Sequence, residues 1–253
     1  MKQSQAKKRD NAMTNKILMG LIALVLGLLF LEILIVHSKN EQQKNASNQV
    51  QTARIMANGD LLYHDGLYMS ALQADGSYDF TENFTYVKPW LKQADLVLGD
   101  FEGTINPDYP LSGYPLFNAP QSVTAAIKDA GYDVMDLAHN HILDSGLEGA
   151  FTTADAFKEV GIDPVGVYEE PVRDKAPLLI KNVNGIKVAI LSYAYGYNGL
   201  ESNLTDKEVA DHLSNLDEKR MKAEIQRAEK EADITVIMPQ MGVEYRLEPT
   251  DEQ

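Results

Sequence analysis

Residues 137–146 read LAHNHILDSG and place two histidines and an asparagine directly after an apolar run. The run Val134–Ala138, apolar apart from Asp136, predicts a buried strand, and His139, Asn140 and His141 follow it directly. Side chains that bind metals or move protons at the end of a buried strand are typical of the carboxyl edge of an α/β sheet. The stretch therefore predicts an α/β protein with its chemistry at the strand ends.

Two similar junctions precede this one in the chain. Asp60 ends one apolar run through Asn-Gly-Asp, and Asp100 and Glu102 follow another run. Asp100 and Glu102 are two residues apart, so an extended backbone points both to the same side. With Asn140 and His141 they predict one shared site of carboxylate, amide and imidazole donors. Such donors suit a divalent Mn, Fe, Zn or Mg ion better than a thiolate-binding metal.

The donor set also indicates a reaction. Two such ions about 4 Å apart hold a phosphoryl group and generate hydroxide, and His141 or His139 then protonates the leaving group. The alternative is that the acids after the strands only stabilise turns through hydrogen bonds to the backbone, and that the histidine at the strand end is a hydrogen-bonded structural residue. His64 is a further candidate ligand, which either faces the same site or pairs with Asp65.

Charge and composition exclude several classes of function. The 253 residues carry a formal net charge of −14, unevenly spread, because residues 1–40 are basic and the remainder is strongly acidic. An acidic body argues against nucleic acid as a partner, since phosphates would be repelled. The chain has no cysteine, which excludes disulfides, thiolate nucleophiles and cysteine-based zinc sites.

Ile17–Val36 is an apolar run of twenty residues interrupted by Glu32, long enough to cross a bilayer core. Basic residues in 1–16 predict a cytoplasmic amino terminus, and therefore a single-pass cell-membrane protein whose domain lies outside the cell. The alternatives are a cleaved signal peptide, whose apolar region is usually shorter, and a buried core helix. Polar residues 37–51 predict a flexible linker.

The body, residues 52–253, predicts one domain of alternating strands and helices. Asn184-Gly185 between two apolar runs predicts a β-hairpin and so a mixed sheet. Tyr193, Tyr195 and Tyr197 alternate, and we expect them in the core rather than in a ligand cleft. Residues 249–252 resemble a helix start, which predicts a domain that is incomplete at its C-terminal end. The predicted strands are 53–57, 96–98, 134–138, 178–180, 187–193 and 234–238, and the predicted helices are 86–93, 122–130, 147–160, 206–213 and 217–232.

Four segments together resemble a known family. They are MANGDLLYHD (56–65), ADLVLGDFEGTI (94–105), AGYDVMDLAHNHILDSGLEGAFTT (130–153) and VIMPQMGVEY (236–245). The set resembles the CapA/PgsA-type capsule synthesis proteins, which are linked to bacterial poly-γ-glutamate production. The resemblance covers about residues 53–253.

The resemblance implies a calcineurin-like metallophosphoesterase-type sandwich of mixed sheets flanked by helices, preceded by one transmembrane helix. It implies metal-ligand positions at Asp60, Glu102 (with Asp100 close by) and Asn140, and a leaving-group acid at His141. The chain departs from the family at Gln240, where a His is usual, and an amide oxygen is a poorer transition-metal ligand. A further His-containing family segment lies beyond the last residue. One metal ion, weak binding or no metal all stay open.

The resemblance also implies a function: a membrane-anchored, outward-facing protein of capsule or poly-γ-glutamate biosynthesis or export. The expected partners are the membrane, the membrane-embedded subunits of a polymer synthase, and an anionic polymer or phosphoester ligand. One alternative is a non-catalytic accessory or polymer-binding subunit of a synthase complex. Another is a cell-surface, metal-dependent phosphoesterase unrelated to capsule, since a fold does not fix a substrate.

Overall fold

The computed structural model describes residues 28, 31–39, 50–243, 245–251 and 253, in two compact units, Met1–Val50 and Gln51–Gln253. In the first unit residues 31–39 are helical. Over the described ranges no helix is long and apolar enough to span a bilayer. Most of the predicted anchor Ile17–Val36, all of residues 1–16 and most of the linker lie outside those ranges, so these assignments stay predictions.

The second unit contains seven strands and six α-helices among its described residues. The strands are β1 (Ile55–Asp60), β2 (Leu96–Asp100), β3 (Val134–Asp136), β4 (Asp163–Val165), β5 (Leu179–Val183), β6 (Ile186–Ala194) and β7 (Ile234–Gln240). The helices are α1 (Asp65–Ala71), α2 (Lys88–Leu91), α3 (Val123–Ala130), α4 (Gly146–Glu159), α5 (Asp206–His212) and α6 (Glu218–Glu231). Three short 3-10 turns cover Thr81–Phe84, Arg173–Lys175 and Leu200–Asn203.

The strands form two sheets. The first has the order β1-β2-β3-β4 and is parallel throughout, whereas the second has the order β5-β6-β7, with an antiparallel β5–β6 pair and a parallel β6–β7 pair. Asn184 and Gly185 join β5 to β6 with φ of 53° and 89°. Positive φ at both positions is what a two-residue hairpin turn requires. The predicted hairpin is therefore confirmed, and it makes the second sheet mixed.

Apolar side chains arrange these elements in layers. The inner faces of the two sheets meet in a shared cluster that includes Leu98, Val134, Val188 and Ile190. The other face of the first sheet packs on α3 and α4, and the other face of the second packs on α6, where Ala228 is buried. Strands covered on both faces are apolar at nearly every position, as β2 and β3 are. The prediction of a mixed α/β fold with flanking helices is confirmed.

The sequence did not predict two of the elements. Strand β4 is only three residues long and contains Pro164, which a sheet tolerates at its edge. Helix α1 follows His64, whose side chain makes no capping hydrogen bond. Strand β4 matters for the site because the Val165 carbonyl accepts a hydrogen bond from Leu137 N at 2.8 Å. That bond fixes the chain just before the His139–His141 segment.

Candidate functional site

The carboxyl ends of β1, β2 and β3 lie side by side. Asp60 is in register with Asp100, and Asp100 is in register with Asp136. The β1–β2 register shifts between Ala57 and Asp60, so a local irregularity delivers Asp60 to the sheet edge. The parallel alignment of three strands thus brings acids from distant parts of the sequence to one edge.

Three carboxyl groups form the centre of this edge. Asp60 lies within hydrogen-bonding reach of both Asp100 and Glu102. Burial raises the pKa of Asp100 to about 9, and the charges of Asp136 and Asp60 add to the rise. Burial also raises the pKa of Glu102 to about 7, again reinforced by Asp60, while the nearby His141 opposes the rise. Carboxylates this close cannot all be ionised without a proton or a cation between them.

A fourth acid, Asp136, lies beneath the cluster. It is buried, and its Oδ1 accepts hydrogen bonds from the Ser192 hydroxyl and from Ala138 N at 2.8 Å. Burial raises the pKa of Asp136 to about 7, against the lowering effect of these hydrogen bonds. Above it, the Oδ1 atom of Asp100 is buried without a hydrogen-bond partner among the described residues. An acceptor oxygen of this kind is suited to a cation or a proton-bearing ligand.

Two amide side chains face each other beside the acids. Asn140 N donates to Gln240 Oε1 at 2.7 Å, and Gln240 Nε2 donates to Asn140 Oδ1 at 2.8 Å. Asn140 Nδ2 also donates to Asn198 Oδ1 at 3.1 Å. Gln240 ends β7, so this pair connects the second sheet to the loop after β3. The sequence identified both amides as candidate ligands, but not that they bond to each other.

His141 is held from two sides. Its Nδ1 lies 2.7 Å from Asp144 Oδ2, and its Nε2 lies 3.8 Å from Glu102 Oε1. The Asp144 carboxylate is buried and also accepts from Phe117 N at 2.6 Å. The Phe117 ring packs edge-on against the imidazole, with centroids 4.8 Å apart. The imidazole is therefore oriented by a carboxylate, as a positioned acid–base group requires.

The other two histidines near the motif lie apart from the acids. His139 is buried and its Nδ1 accepts from His141 N at 3.2 Å, while burial lowers the pKa of His139 to about 3. It is therefore neutral over the physiological range and supports the backbone of His141. His64 is half-exposed and pairs with Asp65, with its ring 5.7 Å from Phe117. The structure does not bring His64 into the wall of the cavity described next.

A cavity of about 580 Å³ opens over the acids and amides. Its opposite wall comes from the residues after β6 and β7, including Tyr195 and Arg246, neither of which the sequence identified as a site residue. Tyr195 is half-exposed, whereas its alternating neighbours Tyr193 and Tyr197 are buried, so the expectation of core packing holds for two of the three. The described lining residues are Asp60, Glu102, Asn140, Tyr195, Gln240, Met241, Gly242, Val243, Tyr245, Arg246, Leu247, Glu248, Pro249 and Gln253.

The donors present fit a hard divalent cation. Asp60, Asp100 and Glu102 offer carboxylate oxygens, and Asn140 and Gln240 offer amide oxygens. Oxygen donors of this kind suit Mg²⁺ or Mn²⁺. Within the described ranges, however, no three His, Asp or Glu side chains surround one point in the arrangement of a metal site. The donor types suit such an ion, and metal binding by these residues stays a prediction.

The fold and site define an α/β sandwich whose acid- and amide-lined cavity lies at the ends of parallel strands. A crystal structure of a putative 5'-nucleotidase from Staphylococcus aureus in complex with alpha-ketoglutarate has a similar fold, with a TM-score of 0.50 and 15% identity over 78% of this chain and 39% of that one. The family model of the bacterial capsule synthesis protein PGA_cap matches residues 54–253. The chain belongs to this family, and the family prediction is confirmed.

Two relatives carry related descriptions. The capsule biosynthesis protein CapA of Bacillus anthracis is 31% identical over 179 residues, covering 67% of this chain and 43% of the relative. The PGA biosynthesis protein CapA of Bacillus subtilis (strain 168) is 26% identical over 249 residues, covering 97% of this chain and 63% of the relative. The chain therefore spans less than two thirds of the length of either relative.

Proposed function

We propose that this chain is a membrane-anchored, outward-facing protein of capsule or poly-γ-glutamate biosynthesis or export, with a metal-dependent, phosphoesterase-like site. The observation that best supports this proposal is that Asp60, Asp100 and Glu102 lie together at one edge of the sheet. His141, which Asp144 orients, lies at the same edge. Membership of the capsule synthesis family and the relatives' descriptions support the pathway. The run Ile17–Val36 supports the anchor and the location of the domain outside the cell.

In this proposal a divalent cation is held by Asp60, Asp100, Glu102 and Asn140, with Gln240 as a weaker neutral ligand. Polarisation of a phosphoryl or similar oxygen is the chemistry that such an ion supplies when bound. Asn140 Oδ1 is engaged by Gln240 Nε2 at 2.8 Å. Each amide oxygen accepts one hydrogen bond in this pair and keeps a second lone pair with which it can bind a cation.

The chain's own residues perform the remaining roles. His141, oriented by Asp144, donates a proton to the leaving group. Arg246, the one cationic residue among the described lining residues of the cavity, attracts the anionic part of a phosphoester or of an anionic polymer. Tyr195 lines the same wall and offers an aromatic face. The substrate class is thus an anion large enough to reach from the acids to the opposite wall.

The catalytic proposal is tested by metal analysis and phosphoester hydrolysis with the full chain in detergent. Asp60→Asn removes a carboxylate that the cavity exposes, and Asp155→Asn is the matched control, since Asp155 pairs only with Lys158 on the surface of α4. We expect the wild type and Asp155→Asn to bind a divalent ion and hydrolyse substrate, and Asp60→Asn to lose both. A wild type without stoichiometric metal or hydrolysis excludes the enzyme.

One observation favours a second function, a non-catalytic accessory or polymer-binding subunit. The Asn140–Gln240 pair satisfies both amides within the protein, where a dinuclear metal site would need strong ligands. Complementation of a deletion strain separates the two functions. If His141→Asn and Asp60→Asn restore surface polyglutamate to the wild-type level, the accessory function is correct. If the deletion itself leaves polymer levels unchanged, the capsule pathway is excluded.

A further inference from the structure

The turn Tyr86–Trp90, whose last three residues belong to α2, exposes three apolar side chains. Tyr86 is 88% exposed, Trp90 is 65% exposed and Val87 is 45% exposed. Trp90 is the single tryptophan of the chain. A tryptophan and a tyrosine presented together to solvent are typical of a contact surface rather than of an isolated exposed residue.

The turn is rigidly held, so its exposure is a property of the fold. The flanking residues Phe84 and Leu91 are buried in the core beneath the helices. Trp90 N and Leu91 N both donate to the Val87 carbonyl, at 2.9 and 3.0 Å, and Gln93 Nε2 donates to the Pro89 carbonyl at 2.9 Å. The backbone that carries the aromatic side chains is thus ordered, and their exposure to water is unfavourable in free energy.

The turn lies where the chain enters the second unit. Arg54 N donates to Asp95 Oδ2 at 2.8 Å, and Arg54 Nη1 donates to the Gln93 carbonyl at 3.1 Å. Residue 54 directly precedes β1, which runs from this edge to Asp60 at the candidate site. Six residues of strand span about 20 Å. The Tyr86–Trp90 turn therefore lies at the amino edge of the parallel sheet, and the cavity lies at the opposite edge.

We propose that the Tyr86–Trp90 turn contacts the surface of the phospholipid bilayer, at the boundary between headgroups and acyl chains. The inference rests on the anchor in the proposed function and goes beyond it. The fourteen residues 37–50 that separate Val36 from the second unit can span at most about 50 Å, whatever their conformation. This reach allows the turn to meet the bilayer, and its aromatic side chains are of the type enriched at bilayer interfaces.

Local charge is compatible with this contact. The body as a whole is strongly acidic, and an anionic surface would repel it. Residues 81–95, however, carry two acids and two bases, and Asp129, which pairs with Lys88, adds one more acid, so the negative excess at the turn is small. With the turn on the bilayer, the cavity opens away from the membrane, where a polymer leaving the cell surface is accessible.

Trp90 reports on this contact directly, because no other tryptophan contributes to the fluorescence. The full chain is reconstituted into phosphatidylcholine vesicles, and vesicle flotation establishes that it has inserted. We expect a blue-shifted Trp90 emission that lipids brominated near the headgroup quench strongly and lipids brominated at the chain end quench weakly. The matched control combines Trp90→Phe with Tyr114→Trp, which moves the single indole to an exposed loop position beside Phe117, at the site end. That indole should stay unquenched by either lipid.

Each other outcome contradicts the proposal in a distinguishable way. A chain that does not float with vesicles overturns the anchor and the bilayer contact together. A floating chain with red-shifted, unquenched Trp90 overturns the contact alone and leaves the anchor intact. A blue-shifted but unquenched Trp90 indicates that a second copy of the chain covers the turn, which also overturns the lipid contact. Equal quenching of the two indoles shows that the domain has no preferred face.

Discussion

At the scale of single residues, the carboxyl groups of the site determine how the protein responds to pH. Burial raises the pKa of Asp100 to about 9 and of Glu102 to about 7, above the values of unfolded chains. The folded protein therefore retains protons that the unfolded chain has released. A raised pKa of this kind stabilises the fold at low pH, and the contribution is lost as pH rises.

We therefore expect the metal-free full chain to lose unfolding free energy as the pH rises from about 4 to about 9, the window between the unfolded and folded pKa values of Asp100. Denaturant titration at several pH values measures this loss. Asp100→Asn, which cannot ionise, should flatten the dependence, while Asp155→Asn on the surface should leave it unchanged. A wild-type dependence with the opposite slope, rising between these pH values, would contradict the buried, protonated cluster.

The position of His141 gives a second prediction. His141→Asn should lower phosphoester hydrolysis by about 100-fold, within the range that a positioned general acid contributes. The loss should be larger for an alkyl phosphate, whose leaving group needs a proton, than for p-nitrophenyl phosphate, whose leaving group does not. Initial rates with both substrates measure this difference. Equal losses with the two substrates would show that His141 acts on something other than the leaving group.

The sequence predicted which side chains lie at the strand ends, whereas their roles as metal ligands and acid stay predictions. Asp60 ends a strand, Glu102, Asn140 and His141 come shortly after one, and parallel strands bring their carboxyl ends together. The sequence could not predict contacts that depend on the packing of the two sheets. The amide pairing across a hundred residues and the burial of His139 arise only from tertiary structure.

At the scale of elements, the pairing of β3 with β4 positions the His139–His141 segment. Gly166, with φ of 103°, lies directly after β4, and a Cβ built on it would come within 2.7 Å of the Ala138 backbone nitrogen. Sequence patterns missed β4 because three residues with a central proline carry no periodicity. Gly166 therefore follows a strand that the sequence did not predict, and it packs against the residue that precedes the His139–His141 segment.

Gly166→Ala should destabilise the protein by about 3 kcal/mol, since the new methyl group overlaps backbone atoms that cannot move freely. The matched control is Gly161→Ala, at a similarly positive φ of 77° but with nothing within 4 Å of the added carbon. It should cost only about 1 kcal/mol, the price of the backbone conformation. Chemical denaturation measures both values. Equal costs would show that the contact with Ala138 is not tight.

A buried ion pair joins the segment before β5 to α6. Arg173 is buried and donates from Nε and Nη2 to the two carboxylate oxygens of Glu224, both at 3.0 Å, and Tyr193 OH donates to the same carboxylate at 2.8 Å. Glu224→Gln leaves the guanidinium buried without its counter-charge and should cost about 3 kcal/mol of unfolding free energy.

The control for this change lies on the same helix. Glu231 pairs with Arg227 at 3.9 Å in solvent, and Glu231→Gln should cost less than about 0.5 kcal/mol. Thermal or denaturant unfolding of the two variants side by side measures the difference. Similar, small costs for both would indicate that water reaches the Arg173 guanidinium and replaces its partner.

At the scale of the whole molecule, the two sheets share one apolar cluster, in which Leu98 and Val134 of the first sheet meet Val188 and Ile190 of the second. The apolar face of each sheet is shielded from water by the other sheet. We therefore expect the second unit to unfold in one cooperative transition, with the amides of β2 and β6 losing hydrogen-exchange protection together. Protection that β6 loses at lower denaturant concentration than β2 would show that the sheets are independent.

The overall class was predictable because apolar runs, a hairpin turn and strand-end acids each act locally. The division into two facing sheets was not derivable from these patterns, because nothing in a strand records which neighbour it pairs with. Ile186–Ala194 illustrates the difficulty, since one strand pairs antiparallel with β5 and parallel with β7. The family resemblance, rather than periodicity, implied the sandwich.

The Asn140–Gln240 pair has a mechanical consequence. Asn140 belongs to the loop after β3, and Gln240 ends β7. The cavity wall is therefore shared between two sheets that pack against each other through apolar side chains. A ligand that binds to both sheets resists their relative displacement, and displacement of the sheets in turn weakens the binding of that ligand. Ligand occupancy and the relative displacement of the two sheets are therefore linked, so that a force that displaces the sheets changes the affinity of the cavity for its ligand.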